Sequence, residues 1–457
     1  MSSTLRSVGV DVGTTTTQLI VSQITAENKA SSFAVPEMEI TQRKIVYRSD
    51  IHFTPLLSGE LVDGERLRGI VAAEYEKAGI RRQDVDTGAI IITGETSRKE
   101  NASAVLGALS DFAGDFVVAT AGPDLESVLA AKGAGAVSYS EQTGKTVLHM
   151  DIGGGTSNLA LIEDGQITAT ACLNVGGRLL KLDSSGGITY VSPVLQGIVP
   201  HKVGDHITQE QARQVADMLA QVLEMAAGLR EKSELFDRLT THGTQKIEPA
   251  AGAVLSFSGG VADCIGQDYP WLKFGDLGPL LGQAIRKSAL CRGEYRLGSE
   301  TIRATVIGAG CHSAQLSGST VFLQNAPLPM KNLAVAAIDS REQSLPKEEL
   351  ADLIARRLGA LEQWGVLALP GWNAPDYSRV TALADAIAMA VGQHPCYIAL
   401  EEDMAKALGH ALALRLPVDS PCLCIDRVRI PPESYLDVGT PVGSAISVVV
   451  KTLILSH

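Results

Sequence analysis

Near its start the chain alternates apolar with small or polar positions at Val8, Val10 and Val12, and the alternation resumes at Leu19 and Val21. Period-two alternation predicts half-buried strands. The joint between them, Gly13 to Thr17, is one glycine and four threonines, preceded by Asp11. A tight hairpin would use Asn-Gly or Asp-Gly at its tip. This loop instead offers backbone N–H groups and small hydroxyls, a set suited to a phosphate and equally consistent with a threonine-rich turn.

Further along, residues 45–53 alternate like a third strand, and residues 64–78 carry Leu67, Ile70, Val71 and Tyr75 at helical spacing. Gly79 then stands where a helix C-cap belongs. Ala89 to Thr93 and Phe116 to Ala119 read as short apolar strands, with a helix running through Ala108 between them. Residues 123–137 predict one small-residue helix, with Glu126 near its N-terminus, where the helix dipole favours a carboxylate. Short apolar strands alternating with helices predict an α/β fold with a sheet covered on both faces.

Val147 to Asn158 repeats the opening theme: apolar alternation, Asp151, then Gly153, Gly154 and Gly155, then Thr156 and Ser157, and a second strand from Leu159 to Ile162. Asp11 and Asp151 lie 140 residues apart in matching places. An internal repeat of this kind predicts two facing loops. Two opposed carboxylates would suit a hydrated Mg²⁺, and two donor-rich loops would clamp phosphates from both sides. Ile207 to Leu229 predicts the longest helix, opened by a Thr208/Gln211 capping box. Val254 to Asp263 reads as a strand running into Gly259 and Gly260. Ala304 to Ser313 reads as another strand running into a Gly-Ala-Gly helix.

In the last third, residues 347–361, 378–390 and 401–414 predict helices, and residues 366–368, 396–400, 422–425 and 446–455 predict strands. Glu401, Glu402 and Asp403 are expected to open the third of these helices, as acids do at an N-terminus. Trp364 and Trp372 border a Pro/Gly/Asn loop. They are expected either to cover a small core or to anchor a partner.

Composition narrows the choices. Of 457 residues 45% are hydrophobic and 20% charged, enough for two or three domains with real cores. A net charge of −12 with no basic run excludes a nucleic-acid role. Seven scattered cysteines without a C-x-x-C pair predict free thiols in a reducing compartment. The N-terminus lacks the apolar core of a signal peptide, and no apolar run reaches the length of a membrane span, so a cytoplasmic location is expected. Thr143-Gly-Lys-Thr146 ends like a P-loop but lacks its first glycine. No H-E-x-x-H occurs, so His149 and His312 are expected to be packing or hydrogen-bonding residues.

Five motifs now carry a resemblance. Asp11-x-Gly13-Thr-Thr, Glu126 with Gly133-Ala-Gly135, Asp151-x-Gly-Gly-Gly-Thr156, Ser258-Gly-Gly260 and Gly308-Ala-Gly310 resemble the phosphate 1, connect 1, phosphate 2, adenosine and connect 2 motifs of the actin, sugar-kinase and heat-shock-ATPase superfamily. The resemblance implies a two-lobed, actin-like ATPase of duplicated ribonuclease-H-like domains. The first lobe would span 1–145, the second 146–325, and an added C-terminal α/β region 326–457 would complete the first lobe or contact a client. The runs TGETSRKENA, HMDIGGGTSNLALIEDG, LNVGGRLL, FSGGVAD, VIGAGCHSAQLSGSTV and YLDVGTPV are similar to the ethanolamine ammonia-lyase reactivating factors.

That family implies an ATP-dependent chaperone that expels damaged cobalamin from ethanolamine ammonia-lyase, a client of large and small subunits, so that adenosylcobalamin can rebind. ATP, ADP and Mg²⁺ would be this chain's ligands. Adenosylcobalamin would belong to the client, since no D-x-H-x-x-G signature is present. By the same resemblance Asp11 and Asp151 would position Mg²⁺, with Glu95 and Asp183 as secondary candidates. Gly13, Thr14, Thr15 and Thr16 would hold phosphates together with Gly153, Gly154, Gly155, Thr156 and Ser157. Gly259 and Gly260 would face the adenosine, and Glu126 would orient the attacking water. A homodimer and an association with the ethanolamine microcompartment are left open. A small-molecule kinase and a filament-forming actin relative are the alternatives of other classes. Against the kinase, no aspartate stands in a motif of its own as a general base.

Overall fold

A computed structural model describes residues 2–13, 16–28, 38–58, 61–93, 105, 109, 117–120, 123–241, 247–248, 252–298, 300–312, 314–316, 321–361, 363–428, 430, 434–442 and 445–452. The opening alternation makes β1 (Ser2–Val12) and β2 (Thr16–Asn28), followed by β3 (Met38–Arg48), β4 (His52–Phe53), β5 (Leu56–Ser58) and β6 (Leu61–Val62). Helix α1 (Gly64–Lys77) leads to β7 (Thr87–Ile92) and β8 (Val117–Thr120). The sheet order is β3-β2-β1-β7-β8, antiparallel through β3-β2-β1 and parallel through β1-β7-β8. Val8, Val10 and Val12 face α1 through Leu67, Val71 and Tyr75, all buried. At about 1.5–3 kcal/mol for each large apolar side chain buried, this contact fixes the hairpin's register. The predicted strand over 45–53 is two pieces, because the chain leaves β3 at Arg48 and pairs again only at His52.

Two helices follow where one was predicted. Gly135 adopts a left-handed φ of 79° and separates α2 (Pro123–Gly133) from α3 (Ala136–Thr143). The second lobe then repeats the first: β9 (Val147–Ile152), β10 (Ser157–Glu163) and β11 (Gln166–Leu173) are antiparallel. After the small hairpin β12 (Leu180–Leu182) and β13 (Ile188–Val191) come α4 (Gln209–Ala226) and α5 (Glu234–Leu239). The capping box at Thr208 and Gln211 is present. Strand β14 (Val254–Ser258), α6 (Gly260–Gly266), α7 (Gly278–Lys287) and β15 (Tyr295–Leu297) complete the unit. Its sheet order is β11-β10-β9-β14-β15, with β9, β14 and β15 parallel. The two sheets therefore share one plan, the duplicated architecture that the five motifs imply.

Helix α8 (Ala304–His312) corrects the expectation of a strand entering Gly-Ala-Gly. Its run from Val306 to Gly310 is apolar or glycine all round because it is buried between the lobes, and periodicity alone cannot tell such a helix from a buried strand. It packs on β1, β2 and β7 of the first lobe, while α2 packs on β9, β10 and β11 of the second. The two helices cross at glycines. A Cβ on Gly133 would lie 1.8 Å from the Ala304 carbonyl oxygen, and one on Gly308 would lie 2.0 Å from that of Leu129. Each lobe thus lends a helix to the other, with backbones in contact at the crossing.

A third sheet holds β16 (Ala314–Leu316), β17 (Phe322–Gln324), β18 (Met330–Ala337), β19 (Val366–Leu369), β20 (Cys396–Leu400), β21 (Cys422–Ile425), β22 (Ser434–Val442) and β23 (Ala445–Thr452). Helices α9 (Lys347–Gly359), α10 (Tyr377–Val391) and α11 (Ala405–Ala413) connect its four parallel strands. Its edge strands are drawn from 314–316 and 322–324, ahead of residue 326. Glu401 to Asp403 lie in the turn before α11. The helix starts at Ala405, whose N–H donates to buried Asp426 at 3.0 Å. Trp364 stacks on His394 and donates to the Pro395 carbonyl at 2.7 Å, and Trp372 packs against the same core under Arg379. Both tryptophans cover a core. Cys172, Cys264, Cys396, Cys422 and Cys424 are buried free thiols. Among the described residues no helix is long and apolar enough to cross a membrane.

Candidate functional site

The carboxyl ends of β1 and β9, and the turns that follow them, face one cleft between the lobes. Its volume is about 380 Å³, and its walls include Asp11, Gly13, Thr93, Glu126, Asp151 and Gly153. The two hairpins close in the same way. The Gly13 N–H donates to the Thr16 carbonyl at 3.0 Å, and the Gly153 N–H to the Thr156 carbonyl at 2.9 Å. In each, the aspartate two residues earlier sits opposite an amide: Asp11 pairs with Gln18 and Asp151 with Asn158.

Both carboxylates are held by hydroxyls. Thr93, just past the end of β7, donates to Asp11 Oδ1 at 2.8 Å. Ser258, at the end of β14, donates to Asp151 Oδ1 at 2.5 Å, and Thr305 of α8 to Oδ2 at 3.3 Å. Behind Ser258 lies buried His149, whose ring nitrogens contact Ser256 at 3.0 Å and Ser258 at 2.9 Å. Burial lifts the Asp11 pKa from 3.8 to about 7. The Thr93 bond opposes the shift, and the nearby Asp151 charge adds to it. Burial raises Asp151 as well, against its two hydroxyl bonds, and pushes His149 down to about 3, so that its ring is neutral.

Asp11, partly buried, and Asp151, buried, face one cavity with only hydroxyls as partners among the described residues, and form a donor set that a cation would complete. Among the described residues no group of three or more His, Cys, Asp or Glu is placed to hold a metal ion. Two carboxylates alone fit Mg²⁺, which keeps several waters and takes its remaining oxygens from phosphates.

Glu126 lies buried in the first turn of α2 and accepts from Asn158 Nδ2 at 2.6 Å, which ties the first-lobe helix to the second-lobe hairpin. Gly259 has a φ of 85°, and a Cβ there would lie 2.3 Å from the Ile152 carbonyl oxygen. Only glycine lets the end of β14 pass so close to the 153–155 loop. Gly260, Gly154, Gly155, Thr156 and Thr16 also line the cleft.

Two expected residues stand elsewhere. Asp183 is exposed in the turn between β12 and β13, where it accepts from Ser185 N–H and Gly187 N–H, each at 2.8 Å. The Ser185 hydroxyl, which donates to the same carboxyl oxygen at 2.7 Å, and then those backbone bonds hold its pKa below the ordinary value and commit it to its own turn. The Ser157 hydroxyl points away from the cleft and donates to the Val175 carbonyl at 2.7 Å. Thr14, Thr15 and Glu95 lie outside the described residues.

The structure adds groups that motif reading passed over. Thr54 donates to the Gly13 carbonyl at 2.8 Å and meets Thr17 at 3.1 Å, buttressing the first loop. Beneath the second loop, the Gly177 N–H donates to the Gly153 carbonyl at 3.0 Å and the Arg178 N–H to that of Gly154 at 2.6 Å. The Arg178 side chain then bonds buried Asp276 at 3.0 Å. Arg178 lies in the LNVGGRLL run, but nothing in that run says that the segment folds back under a loop over 20 residues upstream.

A family model described as "Ethanolamine utilisation protein EutA" matches residues 3–456. The chain is 40% identical to the ethanolamine ammonia-lyase reactivase EutA of Salmonella typhimurium and 41% identical to that of Escherichia coli. In both cases the match covers 98% of this chain and 98% of the relative. Among solved structures, ethanolamine utilization protein EutJ from Carboxydothermus hydrogenoformans matches 66% of this chain and 88% of its own at 18% identity, with a TM-score of 0.35.

Proposed function

The chain belongs to the family of the ethanolamine utilisation protein EutA, and on that premise we propose that it is an ATP-driven reactivating factor for ethanolamine ammonia-lyase. ATP binds in the interlobe cleft, and its hydrolysis opens the inactivated lyase. Damaged cobalamin then leaves and intact adenosylcobalamin enters. The chain acts on its client in the cytoplasm and does not ligate cobalt itself. The observation that carries the reading is the pair of matched hairpins bringing the carboxylates of Asp11, partly buried, and Asp151, buried, to one cavity.

In this reading Gly13, Thr16 and Gly153 to Thr156 hold the phosphates, with Thr14 and Thr15 completing the first loop. Asp11 and Asp151 would hold Mg²⁺, which would supply charge neutralisation at the phosphates. Glu126, fixed by Asn158, orients the attacking water. Gly259 and Gly260 give the adenosine a surface free of side chains. The α2–α8 crossing supports a hinge role, because a change in lobe angle would move both lent helices at once.

The test adds the purified protein, ATP, Mg²⁺ and adenosylcobalamin to inactivated ethanolamine ammonia-lyase and follows ammonia release. Deamination should recover with ATP and not without it. No recovery, beside a fresh lyase that works, would overturn the proposal.

A further inference from the structure

A second cavity of about 390 Å³ adjoins the first and shares Gly154, Gly155, Arg178 and Phe274 with it. Phe53, Thr54 and Leu56 of the first lobe form one side, and Lys181, Tyr190 and Phe274 of the second lobe form the other. The charge here runs against that of the whole chain, whose net charge is −12. Arg178 gives only its Nε to Asp276, whose other oxygen accepts the Gly278 N–H at 2.8 Å. Lys181 is exposed and lies 5.2 Å above the Tyr190 ring, and no carboxylate pairs with it among the described residues. Two cations against one carboxylate leave the cavity positive. Beside the Thr54 and Ser192 hydroxyls and three glycines, the rest of its lining is aromatic and apolar, and Phe53 is 76% exposed and Phe274 47%. Such surface is costly to leave wet opposite its counterpart on the other lobe.

We propose that this cavity is a second ligand site, taking an oxyanion, phosphate or carboxylate, carried on an apolar or aromatic body. The anion lies between Arg178 and Lys181, and the body lies between Phe53 and Phe274. An occupant touches both lobes and the 153–155 loop at once, so its binding favours the closed cleft and is felt at the phosphate loop.

The probe is phenyl phosphate, titrated by calorimetry into the full-length protein with and without saturating ADP and Mg²⁺. Inorganic phosphate and phenol serve as the charged and the apolar half alone. Lys181→Ala and Phe53→Ser change residues that line only the second cavity and are exposed, so the fold should survive; circular dichroism checks this. Phenyl phosphate should bind with ADP present, more tightly than either half. Lys181→Ala should weaken it about ten-fold or more, as loss of a charged partner does. Phe53→Ser should weaken it about two- to ten-fold. Displacement by ADP, equal affinity in wild type and both variants, inorganic phosphate binding as tightly as phenyl phosphate, or no binding at millimolar probe would each overturn the proposal. ADP binding is read in the same titrations, so failure of the nucleotide reading is seen separately from failure of this one.

Discussion

The hairpin around Gly13 and the hairpin around Gly153 close with the same backbone hydrogen bond, yet they are braced differently. Asp151 accepts from two hydroxyls, and the nearer one belongs to a buried Ser256–His149–Ser258 chain. The loop after it rests on the backbone of Gly177 and Arg178. Among the described residues Asp11 accepts from one hydroxyl, that of Thr93, and its loop is propped by the Thr54 hydroxyl. A duplicated plan has thus given one fixed jaw and one lightly held jaw. The fixed jaw suits permanent anchoring of a cation. The lightly held one can respond to charge, and its acid already sits with a pKa near 7.

The largest break in that comparison comes from neutralising each acid. Asp151→Asn and Asp11→Asn should each cut ATP hydrolysis by roughly 10²–10³-fold or more, the scale of losing one preorganised electrostatic partner. Asp151→Asn should also abolish reactivation of the lyase while circular dichroism stays native. If either variant still reactivates the lyase, the assignment of the two acids to the cation fails.

Next in size is the pH dependence of the nucleotide-free protein. Burial raises Asp11 above its unfolded value of 3.8, so its contribution to stability is complete below that value and is lost as pH rises through about 7. Asp11→Asn should therefore gain on the wild type between pH 4 and 8 by about 2–4 kcal/mol, the lower end allowing for the side that opens on the cavity. Urea unfolding at several pH values reads this directly. A constant gap between the two proteins would mean that Asp11 is not raised.

His149, in the second lobe, should show the opposite sign. His149 is depressed from 6.5 to about 3, so the stability it contributes is complete above pH 6.5 and is lost as pH falls toward 3. His149→Leu keeps the volume but leaves the Ser256 and Ser258 hydroxyls without their ring partner. It should cost about 1–3 kcal/mol at pH 8 and remove part of the acid-side loss. Unchanged stability at pH 8 would show that the relay does not brace Asp151.

What the chain made legible follows from the same asymmetry. Asp11 and Asp151 were readable because strand, acid, glycine and hydroxyl repeat in order, and local patterns of that kind carry their own spacing. The braces were not. Thr93, Thr54, Thr305 and Arg178 reach the acids and loops from distant parts of the chain, and no period links them to what they touch. Glu126 was readable from its place on a helix start, but its partner Asn158 was not. Asp183 stands outside the cleft because it serves its own turn, which its residue type alone does not reveal. Helix α8 was misread because burial on all sides erases the amphipathic stripe that marks a helix.

The smallest effect should come from the single hydroxyl on the lightly held jaw. Thr93→Val preserves shape and removes the bond that lowers the Asp11 pKa, so that pKa should move further up. With Mg²⁺ and ATP present, the alkaline plateau of hydrolysis should be nearly unchanged, because the acid is ionised there in both proteins. The acid limb of the pH–rate profile should shift to higher pH by a few tenths of a unit to about one unit, the scale of a single hydrogen bond to a charged group. Removing the corresponding bond from the fixed jaw by Thr305→Val should leave the limb in place, since Ser258 still holds Asp151. If the two variants shift the limb equally, the jaws are braced alike, and the asymmetry drawn from their hydroxyls is wrong.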